Sequence, residues 1–150
     1  MFAIRPVEPA DFAAWKPLWD GYNAFYGRQG PSALPDAVTQ ATWPRFFDPV
    51  EPLFGLVAER EGELLGLTHY LFHRSTTRVE LTSYVQDLFT DPASRGLGVG
   101  RALIQRVYQR AQAAGIVRVY WHTHETNAAG RLLYDKEARH LGFLVYSHDV

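Results

Sequence analysis

The stretch Arg95-Gly96-Leu97-Gly98-Val99-Gly100-Arg101 restricts the fold more than any other part of this 150-residue chain. It joins two segments of different habit. Before it, Glu80 to Thr90 reads as a strand that Asp91-Pro92 ends. After it, Val99, Leu103, Val107, Ala111 and Ala114 recur at helical spacing until Gly115 closes the helix. Val117 to Thr123 then reads as a second strand. Strand, glycine turn, helix and strand make a β-α-β crossover, which sets its two strands parallel and is expected to be right-handed. A crossover helix needs a sheet face to lie on, so the fold class is mixed α/β.

The rest of the chain extends that sheet. Phe2 to Val7 reads as a short strand. Pro9 opens a helix at its first turn, where a missing N–H costs nothing, and Asp11 suits the positive helix end. Phe12, Trp15, Trp19, Tyr22 and Tyr26 follow at steps of three and four, an aromatic stripe that Gly27 and Gln29-Gly30-Pro31 terminate. A second helix is expected from Asp36 to Phe47. Leu53 to Arg60, the turn Glu61-Gly62-Glu63 and Leu64 to Phe72 read as a hairpin. Asn127 to Leu141 reads as a helix that Gly142 caps, with a last strand from Phe143. The expected order is β-α-α-β-β-β-α-β-α-β, a central twisted mixed sheet of about six strands flanked by about four helices.

Composition narrows the function. A folded chain of 17.0 kDa exposes about 7,700 Å² and buries about two-thirds of its unfolded surface, which suits one domain spanning residues 1–150. There is no cysteine, so disulfides, thiolate metal sites and a cysteine nucleophile are excluded. Lys+Arg number 15 against 16 Asp+Glu, which gives no electrostatic grip on nucleic acid. No apolar run approaches the ~20 residues of a membrane span, and the start has no apolar core behind a basic tip. The expected compartment is the cytoplasm.

The glycine turn carries the chemistry. Alternate glycines let the backbone approach a ligand with no Cβ in the way, and the helix that follows offers free N–H groups to an anion. Arg95 and Arg101 flank it and can pair with phosphate oxygens. The motif is not a dinucleotide fingerprint. Counted from Gly96 the last glycine position is Arg101, and counted from Gly98 it is Leu103. That argues against a nucleotide-binding oxidoreductase. A P-loop is excluded because no Gly-Lys-Ser/Thr follows.

Gln86-Asp87-Leu88-Phe89-Thr90-Asp91-Pro92 followed by Arg95 to Gly100 resembles the acetyl-coenzyme A signature of the GNAT superfamily of N-acetyltransferases, Gln/Arg-x-x-Gly-x-Gly/Ala after a strand. Asn127, Leu133-Tyr134 and Gly142-Phe143 resemble the second motif of that family. The resemblance covers essentially the whole chain and implies a GNAT-like fold that moves an acetyl group from acetyl-CoA to a primary amine. It implies that Leu88, Phe89 and Thr90 contact the pantetheine arm through their backbone. The N–H groups of Arg95, Gly96, Leu97, Gly98, Val99, Gly100 and Arg101 would hold the diphosphate. A backbone N–H near Leu88 would polarise the thioester carbonyl. Asn127 would reach the pantetheine, and Tyr134 would protonate the leaving thiolate. Core burial of Leu88 and Phe89, a plain N-cap at Asn127 and a core phenol at Tyr134 are the structural alternatives. A thiol near 8.5 and a phenol near 10 differ by about 1.5 units, or ~2 kcal/mol uphill, which favours hydrogen-bond donation by Tyr134 over full transfer.

Two departures stand out. Gly130 occupies a helix position where relatives often carry alanine, at a cost of about 1 kcal/mol. Gln86 stands where some members carry a glutamate, so the base that receives the amine proton is unassigned. Candidates are Asp87, His122, His124 and Glu80. His122 and His124 alternate on a strand, a metal-ligand spacing with no third ligand, so no metal is expected. The resemblance places the first helix–loop–helix beside the acceptor, where Trp19, Tyr22, Tyr26 and Asp87 could hold a cationic amine. The rival from another class is a non-catalytic acyl-CoA-binding or sensing module of the same fold. A small-molecule or peptide amine is the expected partner, with a homodimer also open and neither nucleic acid nor membrane.

Overall fold

A computed structural model describes all residues, 1–150. Five strands form one sheet in the order β1-β2-β3-β4-β5. They are β1 (Ala3–Pro6), β2 (Leu53–Arg60), β3 (Glu63–His73), β4 (Thr82–Thr90) and β5 (Val119–Trp121). The first four pair antiparallel, and β5 lies parallel to β4, as the crossover demands. The helices are α1 (Phe12–Phe25), α2 (Asp36–Thr42), α3 (Val99–Ala113) and α4 (Ala128–Glu137). The hairpin turn lies at Glu61 and Gly62, both at positive φ. No helix is long and apolar enough to cross a membrane.

The sheet separates two cores. On one face the α1 stripe, Trp15, Leu18, Trp19 and Tyr22, packs on Val57 and Leu67, with Trp43, Phe46 and Phe89 around it. On the other, Val99, Leu103 and Val107 of α3 meet Leu56, Leu65, Tyr70 and Val85. Gly21 allows α1 to press against β4, because a Cβ there would stand 2.7 Å from the Phe89 ring. The segment expected as one helix from Asp36 to Phe47 is divided. Pro44 has no N–H to continue the ladder, so α2 ends at Thr42 and Trp43–Phe47 winds as a 3-10 turn.

The expected sixth strand is absent. Helix α4 also ends at Glu137, short of Leu141, where Ala138 turns extended. From Phe143 onward the chain forms no regular element and no hydrogen bond to a neighbouring strand, and Phe143 to Tyr146 are 66–91% exposed. The residues have strand chemistry, but a strand exists only against an edge, and this run reaches none in its own chain. The accessible surface is accordingly 9791 Å², against about 7,700 Å² for a compact chain of this mass.

Candidate active site

One extra residue in β4 shapes the site. His69 of β3 faces Asp87 and the next residue, Tyr70, faces Val85, so Gln86 bulges out of the ladder. Tyr22 on α1 donates its hydroxyl to the Gln86 carbonyl at 3.4 Å. The bulge reverses which backbone groups look outward. Above it, Ser83 N–H bonds Arg118 C=O on the β5 side. Below it, Asp91 N–H bonds Leu65 C=O on the β3 side, so by strand alternation the N–H groups of Leu88 and Thr90 point away from β3.

Those groups meet no strand. Pairing between β4 and β5 stops at Val85 and Trp121, and the two strands then diverge. The result is a gap with an unpaired strand edge, lined by Leu88, Ile104, Trp121 and Tyr134 among others. Sequence reading named Leu88 and Tyr134 together, and the fold brings both to this gap. Tyr134 stands edge-on to Trp121, with ring centroids 5.5 Å apart. Burial pushes its phenol up to about 12, with Tyr26 adding to the rise. That widens the gap to an ordinary thiol to about 3.5 units, or ~5 kcal/mol, which suits this phenol to donating a hydrogen bond rather than giving up its proton.

The glycine turn lies at the lower end of the same strand edge. Gly96 and Gly98 hold φ of 79° and 83°, and a Cβ on either would meet open space. Gly98 is the N-cap of α3 and offers no side chain to its first N–H groups, which stay available to an anion. Val99 is buried in the core, whereas Leu97 is exposed. The Arg101 guanidinium bonds Glu137 on α4 rather than projecting into the turn. Asn127 caps α4, with its carbonyl oxygen accepting from Gly130 N–H and its amide donating to Thr123 Oγ1 at 3.0 Å. Gly130 is explained by this cap: a Cβ there would stand 2.4 Å from the Asn127 amide nitrogen.

Beside the gap opens a cavity of about 720 Å³, within the usual range for small-molecule sites. Trp19, Tyr22, Tyr26 and Asp87 all line it. Trp19 is also core: it stacks on Trp15 and Tyr22 and bonds Thr39 Oγ1. Asp87 borders both the cavity and the gap. Burial first, then the Asp87 carboxylate, raises the Tyr22 and Tyr26 phenols, which therefore stay protonated.

Sequence reading missed three groups here. Arg28 and Arg45 line the cavity and neither belongs to an ion pair. Arg28 lies over the Tyr22 and Tyr26 rings and bonds Asn23. His69 is buried against Asp87. Of the other proposed bases, His122 and His124 both border the cavity, with His122 Nδ1 at the Tyr84 hydroxyl and His124 Nδ1 at Thr126 Oγ1. Glu80 pairs with Arg78. His122 and His124 thus face separate partners.

A sequence model of the Acetyltransferase (GNAT) family matches residues 15–143. The chain belongs to this family. The GNAT protein is 36% identical over 148 residues to the D-amino-acid N-acetyltransferase HPA3 of Saccharomyces cerevisiae, covering 97% of this chain and 89% of that one. It is 30% identical to the mycothiol acetyltransferase of Thermobispora bispora, of which it spans 48%. Among solved structures, a ribosomal-protein-alanine N-acetyltransferase from Brucella melitensis biovar Abortus 2308 shares the fold at a TM-score of 0.80 and 17% identity, over 100% of this chain and 99% of that one. AAC(6')-Iy in complex with a bisubstrate analogue shares it at 0.81 and 14%, over 100% and 99%. The GNAT protein is therefore an acyltransferase of mixed α/β fold.

Proposed function

We propose that the chain transfers the acetyl group of acetyl-CoA to the amino group of a free amino acid. The observation that carries this reading is the cavity in which Asp87 shares the walls with Arg28 and Arg45, an anion for the amine end and two unpaired cations for a carboxylate. The yeast relative, named for D-amino acids, points the same way. The glycine turn supports the diphosphate end of acetyl-CoA, and the free edge of Leu88 and Thr90 supports its extended arm. In this reaction the amine lone pair forms the N–C bond while the carbonyl π pair moves to oxygen, held by the Leu88 N–H. On collapse the C–S bond breaks with its electron pair on sulfur. The proton lost by nitrogen goes to Asp87, the thiolate takes a hydrogen bond from Tyr134 and then a proton from solvent, and Asp87 returns its own proton to solvent.

An acceptor screen that reads released CoA thiol tests the proposal. Free amino acids, D-enantiomers among them, are expected to outpace their carboxamides and aliphatic polyamines. Arg45→Ala should raise the KM for the amino acid about tenfold or more, because a charged hydrogen bond is lost, and leave the amide unaffected. Equal use of acid and amide would refute the carboxylate half of the reading.

We also infer a homodimer built on the run from Phe143. It is an exposed apolar run of strand-forming residues without an edge, and β5 is an edge without a neighbour, so two copies supply what each lacks. The full chain should sediment at about twice the 17.0 kDa chain mass, and a variant lacking residues 143–150 at the single mass. A full chain that sediments as a monomer would contradict this.

A further inference from the structure

Strand β3 carries a polar side chain into the aromatic core under α1. His69 is 2% exposed, with the Trp19 and Phe46 rings packed on its imidazole at 5.4 and 4.6 Å. Trp15 Nε1–H donates to its Nε2 at 3.0 Å, and its Nδ1 lies 2.8 Å from Asp87 Oδ2. An indole N–H can only donate, so Nε2 carries a lone pair. The ring proton of the neutral imidazole therefore sits on Nδ1 and is donated to Asp87. The chain has one direction, from Trp15 through His69 to Asp87.

We propose that His69 and Trp15 are positioning residues for acetyl transfer: they fix one imidazole tautomer and hold Asp87 by a single oxygen, leaving the other for the proton that the attacking amine gives up. This rests on the reading of Asp87 given above. Two features set the chain apart from ordinary satisfaction of buried polar groups. Its far end is a carboxylate that borders both the acceptor cavity and the β4–β5 gap. That carboxylate also follows directly on the Gln86 bulge, a place where strands redirect a side chain.

The test uses two amide replacements that each keep one half of the histidine. The asparagine amide matches Nδ1 in reach and can still donate to Asp87. The glutamine amide matches Nε2 and can still receive Trp15. Both leave one buried partner unmet, so their thermal midpoints should fall alike. With the full-length enzyme, His69→Gln is expected to lower kcat about tenfold to a hundredfold, and His69→Asn to stay within about threefold of wild type, with the KM for acetyl-CoA unchanged in both. Equal kcat in the two variants would overturn the proposal.

Nitrogen NMR of the imidazoles gives a readout that needs no turnover. Wild type should show His69 protonated on Nδ1 and bare on Nε2, and Trp15→Phe should admit the opposite tautomer. A wild-type His69 protonated on Nε2 would overturn the proposal even in an active enzyme. An inert wild type with the expected tautomer would refute the acetyl-transfer reading instead, and with it the catalytic purpose assigned to the chain.

Discussion

Asp87→Asn is expected to lower kcat about a hundredfold or more while leaving the KM for acetyl-CoA and the thermal midpoint nearly unchanged. The amide still accepts the His69 Nδ1–H, so the buried bond survives the exchange. What disappears is the charge and the capacity to take a proton, and removing a positioned base costs about a hundredfold to ten-thousandfold. Tyr134→Phe should cost less, about tenfold to a hundredfold in kcat. With its phenol pushed up to about 12, Tyr134 contributes a hydrogen bond to charged sulfur rather than a transferred proton. Steady-state kinetics on folded protein separate the two. An Asp87→Asn enzyme within threefold of wild type would remove Asp87 from proton transfer.

Gly98→Val is expected to weaken acetyl-CoA binding about a hundredfold or more by titration calorimetry. At φ 83° a β-branched residue is strained, so the turn must move and carry the first N–H groups of α3 with it. Two lost hydrogen bonds to phosphate, each about 1.5–3 kcal/mol, account for that loss. The control stands at the other end of the same helix. Gly115 holds φ 74° with open space around a Cβ, so Gly115→Val carries a similar backbone penalty away from the turn. Both variants should lose stability, but only Gly98→Val should lose the ligand. Matched affinities in the two would refute the cradle.

The elements that the sequence announces are those whose signals are local. The glycine turn, the 61–62 hairpin and the α1 stripe depend on residues close in the chain, and each lies where its spacing puts it. Leu88 and Tyr134 were legible for a different reason, as members of a family pattern. His69 was not legible, because it sits in the apolar run Leu64 to Phe72 and its partners lie 54 and 18 positions away. A histidine inside such a run is itself a signal, since burial there requires two partners. Arg28 falls in the loop before α2 and Arg45 in the short 3-10 turn after it, where no periodicity marks a side chain as inward. The run from Phe143 misled for the opposite reason: its local chemistry is that of a strand, but its pairing is not local.

The Gln86 bulge has a consequence of phase. Every residue from Asp87 to Thr90 keeps its orientation only because one position upstream is skipped by the ladder. Residue 86 is exposed, and the hydrogen bond it makes to Tyr22 uses its backbone carbonyl, which any amino acid supplies. Pairing that position with His69 is another matter, since a ladder without the bulge would turn the amides of Leu88 and Thr90 back into the sheet. At this point of the chain the enzyme depends on one residue staying out of step.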